Sequence, residues 1–234
     1  VIGTTDLDHD LPLNTEPGIT QTELDYLLQL AQQQFPAAHV TAADVISSYA
    51  GVRPVISQNR KKDPSKEKRD HQVWVDKGLI SVSGGKLTTF RLIARDTLRA
   101  ALPFLHGVRF DNTDEQLFDY PSVTPHSLGI NDRSWAQRLI GRYGQAAKNL
   151  LQDAPAEETV KIDGTEFCLA ELRWSCRNEQ IVHLDDLLLR RSRLGLILPE
   201  GAAGLLPAVK NICQRQLGWT NEQWHAEQQR YQSL

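Results

Sequence analysis

The spacing of apolar positions changes character near the middle of the chain. Leu24, Leu27, Leu28, Ala31 and Phe35 recur every three or four residues, which predicts an amphipathic helix. The stretch Thr20-Gln21-Thr22-Glu23 ahead of them has the form of a capping box. In such a box the threonine hydroxyl accepts from a first-turn amide and the glutamate reaches back. Thr41 to Asp44 marks a short turn, and VISSYAGVRPVI at 45–56 predicts an extended, β-rich segment interrupted by Gly51 and Pro54. HQVWVD at 71–76 alternates as a strand does, and Lys77-Gly78 turns the chain into a second strand, so the pair predicts a hairpin. Phe90, Ile93, Ala94, Thr97, Leu98 and Ala101 then form a helical stripe that ends near Pro103.

Beyond a polar linker at about 111–125 the pattern is helical nearly throughout. Trp135, Leu139, Tyr143, Ala146, Ala147, Leu150 and Leu151 fit one or two helices, and TVKID at 159–163 is a brief extended piece. FCLAELRWSCRNE at 167–179 and the segment 183–193 each predict a helix, the latter with Asp186 four residues before Arg190. A helix over 202–217 has Gly218 as its C-cap, and Thr220 to Gln223 is a second capping box opening a last helix. The predicted fold class is therefore mixed α+β, with residues 1–120 mixed α and β and residues 121–234 all α.

Composition sharpens this picture in a few places. With 234 residues and 40% of them hydrophobic, the chain can bury one large core or two small ones. A net charge of −3 gives no field suited to nucleic acid, so no nucleic-acid partner is expected. No apolar run approaches the roughly 20 residues that span a bilayer. Cys168, Cys176 and Cys213 lack metal-ligand spacing and read as reduced, mostly buried thiols of a cytosolic protein, with no metal expected. The chain contains no Met, and Val1-Ile2-Gly3 reads as the end of a strand, so a fragment of a longer protein is expected.

The candidate chemistry lies at SVSGGKLTTFR, residues 81–91, where a predicted strand meets a predicted helix. Gly84 and Gly85 let the backbone approach a ligand closely. The first amides of a helix lack partners and carry roughly half a positive charge. Lys86 adds a full charge, and Thr88 and Thr89 add hydroxyls. This is not a Walker A loop, because Ile80 stands where its first glycine belongs and Leu87 where its Ser or Thr belongs. The residues alone leave two readings open: a tight strand–helix turn with an exposed lysine, or a site for an anion or cofactor. Arg53, in AGVRP at 50–54, sits before a proline that stiffens the backbone, and so suits bidentate binding of phosphate or carboxylate. Arg69, just before HQVWV, carries a weaker signal of the same kind. The lysine-rich stretch at 58–70 reads as a solvated loop.

Taken together, GTTD at 3–6, SSYAGVRP at 47–54, VSGGKLTTFR at 82–91 and ELRW…EQIVHLDDLLLRRSRLG at 171–195 resemble the C-terminal half of FAD-dependent glycerol-3-phosphate dehydrogenase, the aerobic respiratory enzyme. The resemblance covers nearly the whole chain. It implies that residues 1–120 form part of an FAD- and substrate-binding catalytic domain of the glycine/D-amino-acid-oxidase type, and that residues 121–234 form a helical cap domain. It implies a flavoprotein oxidoreductase of glycerol metabolism that oxidises sn-glycerol 3-phosphate to dihydroxyacetone phosphate on FAD and passes electrons to quinone. A cytoplasmic enzyme held peripherally on the inner membrane surface, as a homodimer, is the corresponding expectation.

The resemblance also assigns roles. Gly84, Gly85, Lys86, Leu87, Thr88 and Thr89, with Arg53, are expected to bind the flavin, the turn stabilising negative charge at its pyrimidine end. Arg53, Arg69 and Lys86 are expected to bind substrate and to serve catalysis as electrostatic groups. The G-x-G-x-x-G fingerprint that anchors the FAD pyrophosphate in this family is not in these residues. The expectation is therefore a chain that holds FAD only together with that missing segment and is inactive alone. Two alternatives carry over: an oxidase using oxygen as acceptor, and a non-catalytic helical module docking on a membrane surface or a protein partner.

Overall fold

The structure is a computed structural model that describes residues 1–52, 70–110 and 120–234. It divides into two compact units, Val1–Leu27 with Ala50–Leu117 and Leu28–Tyr49 with Phe118–Leu234. The division falls inside the first helix, α1 (Gln21–Gln34).

In the first unit, α1 begins at the capping box read from the sequence. The Glu23 carboxylate accepts from the Thr20 amide at 2.9 Å, and the Thr20 hydroxyl accepts from the Glu23 amide at 3.3 Å. Thr5 donates to the same carboxylate at 2.6 Å, which ties the polar N-terminal segment to the helix start. Strands β1 (His71–Asp76) and β2 (Leu79–Gly84) form the expected antiparallel hairpin, with Val73 opposite Val82 and His71 opposite Gly84. Lys77 and Gly78 both have positive φ, 48° and 85°, as a two-residue hairpin turn requires. Helix α2 (Phe90–Ala101) packs on both strands, after a 3-10 turn at Leu87–Thr89. No described residue of this unit is buried, and Trp74, Val75, Leu79, Leu87 and Leu92 are exposed.

The second unit is helical. Helices α3 (Arg133–Tyr143), α4 (Ala146–Gln152), α5 (Leu169–Asn178), α6 (Leu194–Ile197), α7 (Pro199–Ala202), α8 (Leu206–Leu217) and α9 (Asn221–Gln232) follow in order. One core gathers Leu172, Leu184, Leu187, Leu188, Leu194, Val209, Ile212 and Trp224, and a second gathers Trp135, Leu139, Ala147 and Leu150. Gly218 ends α8 at φ 71°, and the Thr220–Gln223 box opens α9 with Thr220 accepting at 3.2 Å and Gln223 at 2.9 Å. All three cysteines are buried and free.

Several local expectations are corrected. Residues 1–3 and the described part of the 45–56 segment, 45–52, form no strand, because no neighbouring backbone ladders with them among the described residues. The α-helix expected over 202–217 starts at Leu206, after a 3-10 turn at Ala203–Leu205. The helix expected over 183–193 takes π geometry at Asp186–Arg191. There the Ser192 amide and hydroxyl both donate to Leu187 O, at 3.0 and 2.7 Å, and hold the wider turn. The Asp186 carboxylate accepts from the Val182 and His183 amides at 3.1 and 2.9 Å and so starts that segment. The wide turn keeps Leu184, Leu187 and Leu188 buried while Asp185 bonds to Arg190 and Arg230.

Candidate functional site

The G-G-K turn is built by two left-handed glycines between a strand and a helix. Gly84 and Gly85 have φ of 80° and 81°, a backbone region that residues with a Cβ rarely enter. At Gly85 a Cβ would lie 2.6 Å from Ile93 Cδ1 and 3.2 Å from His71 Cβ. Glycine is thus required there by dihedral, and a Cβ would also crowd Ile93 and His71. The chain then enters the 3-10 turn, whose closure is local. The Lys86 amide donates to Thr89 Oγ1 at 3.1 Å, and the Thr89 hydroxyl and amide both donate to Lys86 O at 2.9 Å.

This closure leaves donors of exposed residues without partners among the described residues. The Leu87 and Thr88 amides meet no acceptor among the described residues, and no carboxylate there pairs with the Lys86 ammonium. Lys86, Leu87 and Thr88 are exposed, while Gly85 and Thr89 are partly covered. The turn therefore offers two amides, a hydroxyl and an ammonium at the start of a helix. That donor set suits an anion or an electron-rich carbonyl edge, and the pyrimidine edge of FAD is such a group.

Of the residues expected from the sequence, the structure brings Gly84, Gly85, Lys86, Leu87, Thr88 and Thr89 into this one turn. Arg53 and Arg69 lie outside the described residues. Two neighbours were not singled out in the sequence. His71 Nε2 lies 2.9 Å from Asp96 Oδ2, which joins the first residue of β1 to the middle of α2. Asp96 Oδ1 also accepts from Arg99 Nη1 at 2.9 Å. The only signals available for them were the place of His71 at the head of an alternating strand and of Asp96 three residues after Ile93.

Away from this turn, the helical unit holds a cleft of about 350 Å³ lined by Thr124, Pro125, His126, Ile130 and Arg133, none of them an expected site residue. Its buried carboxylates are committed to structure. Glu171 accepts from Arg138 at 2.8 Å, from Tyr143 at 3.0 Å and from the Cys168 amide at 2.9 Å. Among the described residues no cluster of His, Cys, Asp and Glu could hold a metal, and no helix is long and apolar enough to cross a membrane.

Residues 109–224 match the C-terminal domain of alpha-glycerophosphate oxidase. The chain is 30% identical over 236 residues to glycerol-3-phosphate dehydrogenase of Mycobacterium leprae, with 95% of this chain and 40% of that protein covered. It is 32% identical over 225 residues to glycerol-3-phosphate dehydrogenase 1 of Mycobacterium tuberculosis, with 92% and 42% covered. The X-ray structure of the glycerol-3-phosphate dehydrogenase from Bacillus halodurans complexed with FAD superposes with a TM-score of 0.66 at 25% identity, covering 99% of this chain and 47% of that one. This chain is similar to glycerol-3-phosphate dehydrogenases, and it spans about two fifths of the length of the curated relatives it matches.

Proposed function

We propose that these residues supply the flavin-edge and substrate side of an FAD-dependent glycerol-3-phosphate dehydrogenase, which oxidises sn-glycerol 3-phosphate to dihydroxyacetone phosphate and passes electrons to quinone. The observation that carries this reading is the donor set of the Gly84–Thr89 turn, in a chain whose FAD-complexed relative has the same fold. Residues 1–120 are then a portion of the FAD- and substrate-binding domain, and residues 121–234 are its helical cap. FAD, when bound, supplies the acceptor for the hydride equivalent leaving the substrate carbon.

The residues of this chain do the electrostatic part. The Leu87 and Thr88 amides, the α2 dipole and Lys86 hold negative charge at the pyrimidine end, because preorganised donors stabilise charge without reorganising. Lys86 also reaches the substrate. Arg53 and Arg69, by the family resemblance, hold the phosphate and polarise the reacting oxygen as permanently charged groups. The pyrophosphate anchor comes from polypeptide outside these 234 residues, so the isolated chain holds FAD weakly and is inactive. The whole enzyme acts as a cytoplasmic homodimer held peripherally at the inner membrane, where it meets quinone.

The test uses the full-length protein that carries this sequence, beside Lys86→Ala. Anaerobic addition of glycerol 3-phosphate should bleach the flavin absorbance of the parent, and the variant, still FAD-loaded, should bleach at least about tenfold more slowly. A flavin-loaded parent that does not bleach with this substrate would refute the assignment.

A further inference from the structure

We propose that His71 is a positioning residue of the flavin turn, and that its bond to Asp96 fixes the aim of the donors at Gly84–Thr89. The inference rests on the function proposed above.

Three contacts meet at one level of the unit. His71 is the β1 residue directly opposite Gly84, the last residue of β2. Its Cβ lies 3.2 Å from the point a Gly85 Cβ would occupy, and Ile93 of α2 closes on the same point at 2.6 Å. Strand end, turn and helix therefore touch with no slack at Gly85. From this contact the His71 ring reaches Asp96, three residues beyond Ile93 on α2, at 2.9 Å. The His71 side chain is 18% exposed, in a unit where no described residue is buried. The second carboxylate oxygen of Asp96 accepts from Arg99 at 2.9 Å.

The consequence concerns geometry rather than direct contact with the flavin. The donor amides belong to Leu87 and Thr88, and those residues hang between Gly85 and the first turn of α2. If α2 rocks against β1, these amides and the helix dipole swing away from the flavin edge. Apolar contact resists such rocking weakly when the apolar residues are exposed, and the directional hydrogen bond between β1 and α2 adds a second, oriented point of contact. Displacements of about 1 Å are enough to lower rates by about a hundredfold in preorganised sites.

Sulfite reports on this positioning independently of turnover. It adds reversibly to oxidised flavin and loads negative charge onto the pyrimidine end, so its affinity reads the donors there. The full-length holoprotein would be titrated beside His71→Ala, His71→Gln, Asp96→Ala and Lys86→Ala. His71→Ala should weaken sulfite binding by about tenfold at unchanged FAD content, and His71→Gln, whose amide can still donate to Asp96, should stay within about threefold of the parent. Equal sulfite affinity in His71→Ala and parent, with Lys86→Ala weakened, would overturn the role of His71 and leave the proposed function standing. A loss in His71→Gln as large as in His71→Ala would overturn the role of the bond. If Lys86→Ala in a flavin-loaded protein also bound sulfite as the parent does, the proposed function of the turn would fall instead. Should His71→Ala not fold, Asp96→Ala decides, since it removes the acceptor and parent-like sulfite affinity in that variant overturns the inference.

Discussion

The helical unit and the hairpin unit are stabilised by different means. The helical unit closes over two apolar cores and seals carboxylates inside them with arginine partners. Burial of that kind supplies roughly 25 cal/mol per Å² of apolar surface removed from water. The hairpin unit has one two-stranded ladder, one helix packed on it and no buried residue among those described. With no described residue buried, this unit removes less apolar surface per residue than the helical unit to set against the chain entropy it fixes. The donors of the candidate site lie in the hairpin unit. Stability and the proposed chemistry are thus assigned to different parts of the chain, and the part that carries the donors keeps Trp74, Val75, Leu79 and Leu92 exposed.

The largest expected consequence is in hydrogen exchange. Amides of α5 and α8 in this chain should exchange at least about a thousandfold more slowly than those of β1, β2 and α2, since opening the cores approaches global unfolding while the hairpin opens locally. Peptide-level exchange followed by mass spectrometry checks this. Equal protection in both units would remove the contrast between them.

The sequence carried much of this contrast, though unevenly. The hairpin was legible because Lys77-Gly78 sits between two alternating runs, and both capping boxes were legible because their residues lie three apart. What stayed hidden depends on contacts distant in sequence. Asp186 meets Arg190 at 3.4 Å, as its spacing predicts, but Asp185, which no spacing marks, holds both Arg190 and Arg230, the latter from 45 residues away. The π turn at Asp186–Arg191 was equally hidden, because Ser192 fixes it through Leu187 O and no periodicity announces that bond. At the candidate site the glycines and lysine stood out by type. The His71–Asp96 bond did not, since it needs β1 and α2 already packed.

The next effect compares ion pairs. Arg173 grips Glu158 through two bonds of 2.6 Å, with both side chains about nine-tenths covered. Glu158→Gln leaves the guanidinium covered and half-satisfied, and should destabilise the helical unit by about 3 kcal/mol. Asp96 and Arg99 form a pair in the hairpin unit with both side chains nearly half exposed. Asp96→Asn should change the main unfolding transition by less than about 0.5 kcal/mol. Urea unfolding monitored by tryptophan fluorescence measures both. A shift for Asp96→Asn as large as for Glu158→Gln would mean that the two units melt as one.

The smallest effect is a pH dependence confined to the helical unit. Burial by itself pushes the Asp185 carboxyl upward, but hydrogen bonds from Arg230 and Arg190 outweigh it and hold its pKa below the ordinary 3.8. Asp186 and Glu227 stand beside the same arginines, and Glu227 also meets His183 at 2.9 Å. A carboxyl with a depressed native pKa contributes its full stability above the unfolded value and loses it as pH falls through the native one. Asp185→Asn should therefore flatten the loss of stability below about pH 4, where one such proton contributes at most ~1.4 kcal/mol per pH unit. Urea midpoints taken from pH 6 down to pH 3 test the sign. A variant as steep as the parent would show that Asp185 does not couple proton uptake to unfolding. A flatter profile would place part of the acid sensitivity in the link between the π turn and α9, inside the unit that supplies the stability and away from the turn assigned to the chemistry.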